Sequence, residues 1–258
     1  MPHLARSGAD DIVPGRRVPD GLLIEISPRW VRMYFGGTKV ADTRRALLVL
    51  EPSRPATYWI PLEDVRRDHL TADNRSVGSP TQLWTLRVGD RVAKQVAWSY
   101  PHPEHEWAAL RDHIAFDAER MDAWYEEDDE VFAHPLSPYH RVDVRRSSRR
   151  VTVVIGDQTV ADTARPSLLF ETGLPTCYYL PQQDVRMDLL VPSDMSTTCP
   201  YKGVARYWSV RVGDVLIKEV AWSYPAPIAE CRKIENLVSF YNGKVDILVD
   251  DEPKAWRP

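Results

Sequence analysis

Cysteine is scarce in this chain: Cys177, Cys199 and Cys231 are the only three in 258 residues. An odd number without a CxxC spacing excludes a disulfide framework and points to reduced thiols in a cytoplasmic protein. A structural zinc takes four N or S ligands in paired short spacings. Each cysteine here stands alone, so neither a metal nor a cofactor is expected. His102 and His105 of "HPEHEW" lie three apart without further ligands and read as surface residues. All seven histidines fall within the first 140 residues, which excludes a Cys–His or Ser–His nucleophile confined to the second half. No run approaches the about 18 apolar residues of a membrane-spanning helix. The phosphate-cradling patterns GxxxxGK[ST] and GxGxxG are absent. The formal charge of −4 gives no general pull towards nucleic acid or an anionic membrane. The first 19 residues carry scattered Arg and Pro and no apolar stretch of a secretory signal, and read as a loose tail.

What is present is a duplication. "KVADTRRALLVLEPSRPATYWIPLEDVRRD" (39–68) matches "TVADTARPSLLFETGLPTCYYLPQQDVRMD" (159–188), so that Lys39 aligns with Thr159 at an offset of 120. "LWTLRVGDRVAKQVAWSYP" (83–101) matches "YWSVRVGDVLIKEVAWSYP" (207–225), Leu83 aligning with Tyr207 at 124. The expected organisation is a first repeat over 20–126, an acidic, proline-containing linker over 127–139, a second repeat over 140–250 and a C-terminal tail over 251–258. The shift in offset marks a four-residue difference. Where the second copy has "VPSDMSTTCPYKGVARY", the first has "TADNRSVGSPTQL" and lacks the Cys–Pro–Tyr–Lys–Gly core.

The pattern is mostly β. "RRVTVVIGDQTVADT" predicts a hairpin turning at Gly156–Asp157, and "YWSVRVGDVLIKEVAWSY" another at Gly213–Asp214. In the latter, Trp208, Val210 and Val212 share one face, and Tyr207, Ser209 and Arg211 the other. "SLLFET" and "TCYYLP" are short strands. In 227–241, apolar residues at Ile228, Cys231, Ile234, Leu237, Val238 and Tyr241 have helical spacing after Pro227. One helix of three to four turns is therefore predicted near the end of each copy, over 104–116 and 228–240.

With "VADT", "LLFETG", "YYLPQQDVRMDLL", "CPYKG", "YWSVRVGD" and "AWSYP" in that order, the chain resembles the family catalogued as domain of unknown function 427, also labelled nucleotidyltransferase-like. The resemblance spans nearly all of the second copy, and the first except at "CPYKG". It implies two tandem β-tent-like domains, each a pair of bent antiparallel sheets of a kind also used by zinc-binding and methionine-sulfoxide-reducing domains. The family's resemblance implies no established activity, and its label is an association only.

Candidate site residues follow from what the two copies do not share. Cys199, Tyr201 and Lys202 occur only in the second, so the common framework does not require them. A thiol beside an ammonium is either a tuned nucleophile or a small buried hydrophobe beside a solvated lysine. Arg165, Glu171, Asp184, Arg186 and Asp188 have counterparts at Arg45, Glu51, Asp64, Arg66 and Asp68; they either hold strand ends by ion pairs or bind an anion. The expected ligand set is Arg165, Arg186, Cys199, Tyr201, Lys202 and Tyr207, with Lys202 facing a concavity shared with Arg165 or Arg186 and giving a positive spot. The preferred reading is a small anionic ligand bound by the second repeat, braced by the first as an internal pseudo-dimer, with no nucleic-acid or membrane partner. The alternatives are an enzyme using Cys199 as nucleophile or redox thiol, a nucleotidyltransferase-like activity, and a protein-interaction scaffold.

Overall fold

The computed structural model describes residues 21–52, 54–73 and 79–254, so the predicted N-terminal tail and the last four residues lie outside the described residues. The chain divides into two compact units, 1–137 and 138–258, and both are built mainly of antiparallel strands.

The two units share one strand order. In the first, a seven-stranded sheet runs Leu23–Ile26, Leu47–Leu50, Thr57–Pro61, His113–Phe116, Arg91–Ser99, Gln82–Val88, Leu70–Ala72. In the second, the same order is split. Val142–Arg146, Ser167–Glu171 and Cys177–Tyr179 form one sheet, and Val238–Phe240, Val215–Ser223, Gly203–Val212 and Leu190–Cys199 another. A single bridge between Leu180 and Val238 stands where the first unit pairs Trp59–Pro61 with His113–Ala115. Each unit adds a four-stranded sheet around its first hairpin; in the second it is Gln158–Thr163, Val151–Ile155, Asp246–Val249 and Glu252–Pro253. Both predicted hairpins are present, with Gly156 at φ +59° and Gly213 at φ +56°, a left-handed backbone that glycine adopts without steric cost.

Period-two alternation divides the second unit's interior into two clusters. Leu168, Tyr178, Val210, Ala221, Val238 and Phe240 pack against the sheet carrying Val151 and Val153, joined by Trp208 and Val212. Their strand neighbours Leu169, Tyr179, Tyr207 and Trp222 point the other way and pack with Val144, Ala205, Tyr224, Cys231 and Ile234. The candidate site is built on that second face.

The helical elements predicted at 104–116 and 228–240 are present but shorter: single 3-10 segments, His105–Leu110 and Ala229–Ile234. Each is followed by a residue in the left-handed region, Asp112 (φ +61°) or Asn236 (φ +57°), and then a strand, His113–Phe116 or Val238–Phe240. The apolar spacing was satisfied by a tight turn that buries Cys231 and Ile234 and hands Val238 to the sheet; the turn and the strand together mimic a helical period. Among the described residues no helix is long and apolar enough to cross a membrane.

Candidate functional site

The Cys–Pro–Tyr–Lys–Gly stretch is the tip of a hairpin. Cys199 pairs with Gly203 across it, and the Lys202 N–H donates to the Cys199 carbonyl at 3.2 Å. The tip is fastened to the 3-10 turn and the residue before it: Ile228 N–H donates to the Lys202 carbonyl at 3.2 Å, and the Cys231 thiol donates to the Tyr201 carbonyl at 3.3 Å. Gly203 sits at φ +103°, and a Cβ there would lie 3.1 Å from the Ala226 carbonyl oxygen. The position therefore needs glycine for its conformation and for its space.

So fastened, the loop buries Lys202. Its ammonium forms an ion pair with Glu171, the two side chains being 12% and 6% exposed. Glu171 reaches this face because it lies two residues after Leu169 on the same strand. Its other carboxylate oxygen contacts His140 Nε2 at 2.9 Å, and the His140 ring stacks on Tyr201 with centroids 4.2 Å apart. Burial opposes the charge of Glu171, but the hydrogen bond from His140 and the Lys202 charge outweigh it and hold its carboxyl below the ordinary value. Burial likewise opposes Lys202, and the Glu171 carboxylate outweighs it, raising the ammonium above its ordinary value. Both partners are thus charged at neutral pH, as a buried pair requires.

Around this pair stand thiols and rings. Cys177, Cys199 and Cys231 are free and pack into the same cluster; Cys177 and Cys199 lie close enough to feel the Lys202 charge. Burial pushes the Cys177 and Cys231 thiols up to about 11, so both are protonated at neutral pH. Burial also raises the Tyr224 and Tyr179 phenols and pushes Tyr241 up to about 12. Tyr207 hydrogen-bonds Thr197 through its hydroxyl at 2.9 Å, and the Trp222 indole donates to the Tyr179 hydroxyl at 3.1 Å. One polar atom on this face lacks a partner: Ser239 Oγ, on a fully buried residue opposite Trp222.

The first unit shows the same face without the loop. Val49, Trp59, Leu110 and Ala115 pack there with Trp98, Tyr100 and Trp107. Trp107 stands at the position of Cys231 and Ala115 at that of Ser239, both at the offset of 124. The Trp107 ring meets Tyr100 edge-on at 5.6 Å. Glu51, the counterpart of Glu171, pairs instead with Arg54 at 3.3 Å. The polar chemistry of the second unit is an addition to a framework that closes over tryptophan without it.

Of the residues singled out from the sequence, Cys199, Tyr201, Lys202 and Tyr207 come together. Arg165 and Arg186 lie elsewhere, in exposed pairs with Asp184 at 3.1 Å and Asp188 at 2.6 Å. The first unit repeats these pairs as Arg45–Asp64 at 2.8 Å and Arg66–Asp68 at 3.1 Å, and Thr43 and Thr163 hydroxyls donate to Asp64 and Asp184 alike. These contacts fasten the 3-10 turns beside the hairpin in both copies. One exclusion is corrected: His140 belongs to the second unit and touches its polar centre, so that unit does hold a histidine. By the boundaries read from the sequence it is the first residue of the second repeat, so the exclusion failed at its edge. Glu171 was legible as a shared carboxylate, and its burial and its partners Lys202 and His140 set it apart from Glu51. Among the described residues no three or more His, Cys, Asp or Glu side chains are grouped as a metal site requires.

Two antiparallel β units of one strand order, the second with a buried acid–base cluster under an inserted hairpin tip, define a duplicated β domain with a single elaborated copy. The chain belongs to the family described as Domain of unknown function (DUF427), whose model matches residues 23–127 and 143–251, once for each unit. A search of curated proteins finds no match.

Proposed function

We propose that the second repeat binds a small anionic molecule at the Lys202–Glu171–His140 cluster. The observation that carries this reading is a ratio: one buried carboxylate faces two basic side chains, on a framework whose other copy lacks both. Lys202 gives Glu171 one hydrogen bond, and an ammonium has three N–H donors. An incoming carboxylate or phosphate can take the others as charge-assisted bonds. Tyr201 is stacked on His140, and Cys199 packs into the same cluster. Cys199 as a nucleophile would need a base, and the Nε2 of the cluster's histidine is engaged by Glu171 rather than by sulfur. A metal-dependent nucleotidyl transfer would want clustered carboxylates, whereas Glu171 stands alone among thiols and phenols.

The test is calorimetric titration of the whole chain with a panel of small carboxylates and phosphates. It is run on the native protein and on the double variant Lys202→Met/Glu171→Gln, which removes both charges and leaves no unpaired ion. Binding by the native chain alone supports the reading. Equal binding by both, or binding only of uncharged analogues, overturns it.

A further inference from the structure

The first repeat, which lacks the inserted loop, departs from the second on another face. Its four-stranded sheet runs Asp129–Glu130, Ala123–Glu126, Val31–Phe35, Thr38–Thr43. Met33 and Trp124 point inward and are buried, so strand alternation turns Arg32, Tyr34 and Tyr125 outward, where they are partly exposed. Tyr125 stands directly opposite Arg32, and Arg32 opposite Asp42. The Arg32 guanidinium lies 4.0 Å from the centre of the Trp30 ring and 5.4 Å from that of Tyr125. Arg44 also lies over the Trp30 ring, at 4.2 Å, and the Trp30 indole donates to Asp42 at 2.6 Å. Tyr34 and Tyr125 meet edge to face at 5.7 Å.

The second repeat serves as an internal control. In the same registers it has Thr152, Val154 and Leu248 where the first has Arg32, Tyr34 and Tyr125. Arg150 stands at the position of Trp30 and Ala164 at that of Arg44, both at the offset of 120. There Arg150 closes on Asp162 with bonds of 2.9 and 2.7 Å, an ordinary solvated sheet face. The fold therefore does not need the rings or their stacked arginines. Tryptophan, tyrosine and arginine are the side chains that carry most of the energy at protein interfaces.

The charges on this face say which partner fits. Arg32 pairs with Asp128 at 3.0 Å, and Lys39 pairs with Asp42. Among the described residues, exposed Arg44 and Glu130 are left, one at each border of the sheet. Glu130, Tyr125, Arg32 and Asp42 form one cross-strand row, and Arg44 is two residues beyond Asp42. A uniformly acidic or basic partner would be repelled at one border. A second copy turned by a two-fold axis sets each Arg44 against the other's Glu130, with the rings between, so the patch is complementary to itself. We propose that this outer face of the first repeat is a two-fold interface for a second copy of the chain. This inference is independent of the anion site in the other repeat.

The test is sedimentation equilibrium of the whole chain from about 1 to 300 µM, spanning the affinities of modest interfaces. A monomer–dimer equilibrium is expected. Arg44→Glu should weaken it at least about tenfold, because the two-fold axis counts the like-charge contact twice. Arg44→Glu/Glu130→Arg should recover most of that loss, and Ala164→Glu, at the matching place in the second repeat, should change nothing. Tyr34→Ser/Tyr125→Ser should weaken the dimer by about tenfold or more, as loss of central rings predicts. Thermal melts at low concentration show that each variant is folded; the charge variants lie on the surface and should melt with the native chain. A monomer at every concentration, a dimer unmoved by Arg44→Glu, a charge swap that recovers nothing, or a dimer weakened by Ala164→Glu alone would each overturn the proposal.

Discussion

Lys202 lies in a loop that only the second repeat has, and its ammonium is held by Glu171, a residue whose counterpart exists in both repeats. The inserted side chain has taken a shared carboxylate out of the surface and into a buried pair. That relationship turns the question of function into one of stability as well. A surface lysine could be removed freely, whereas this one leaves an unpaired buried charge behind.

Lys202→Ala should therefore cost about 3–5 kcal/mol, the range for breaking a buried pair from one side. Lys202→Met/Glu171→Gln should cost much less, because no ion is left unpaired. Denaturant melts of the three proteins decide it. A single variant as stable as the native chain would mean that the pair is solvated.

The pair also sets a pH window. Glu171 titrates below its ordinary value of 4.5 in the folded chain, so its contribution is complete above that value and is lost as pH falls through the lower, folded one. Lys202 titrates above its ordinary 10.5, so its contribution is complete below that value and is lost as pH rises through the higher, folded one. Stability should show a plateau between. In Lys202→Met the alkaline loss attributable to this residue should vanish and the acid loss should begin at higher pH, because burial of Glu171 is then opposed by His140 alone. Thermal melts across pH test this; an acid limb unchanged by the substitution would refute the coupling.

Glycine at 203 is required by both φ and space, whereas Gly213, at φ +56°, has nothing within 4 Å of a would-be Cβ. Gly213→Ala should cost about 1 kcal/mol from conformation. Gly203→Ala should cost more, about 2–3 kcal/mol, because the Ala226 carbonyl must also move. Equal costs in chemical denaturation would show that the hairpin tip yields easily.

Much of this architecture could be read from residue order. The hairpins at Gly156 and Gly213, the duplication and the four-residue insertion are local signals, and local signals survive folding. What escaped was long-range. His140 stands just ahead of its strand, and only the pairing of Val142 with Glu171 carries it to the carboxylate. The three cysteines look isolated because their separations of 22 and 32 residues (177 to 199, 199 to 231) say nothing of a shared sheet face. Arg165 and Arg186 were ambiguous for the opposite reason. An arginine that fastens a turn and one that binds an anion carry the same signature, and only the nearby aspartates at 184 and 188 separate them.

The last prediction concerns the hydroxyl that has no partner. Ser239 is fully buried and its Oγ makes no hydrogen bond, while the first repeat carries Ala115 at the same place, within the same apolar face. Folding strips water from that hydroxyl without a replacement, a cost of about 1–3 kcal/mol. Ser239→Ala removes the unsatisfied group and one atom of volume, leaving a gap too small to offset the gain. The variant should be more stable than the native chain by about 1 kcal/mol in denaturant unfolding. Such a gain would also mark Ser239 as a residue kept at the expense of stability, beside the very cluster that distinguishes this repeat. If the substitution instead destabilises by a similar amount, the hydroxyl has a buried water as its partner, and the face around Trp222 is wetter than its apolar neighbours suggest.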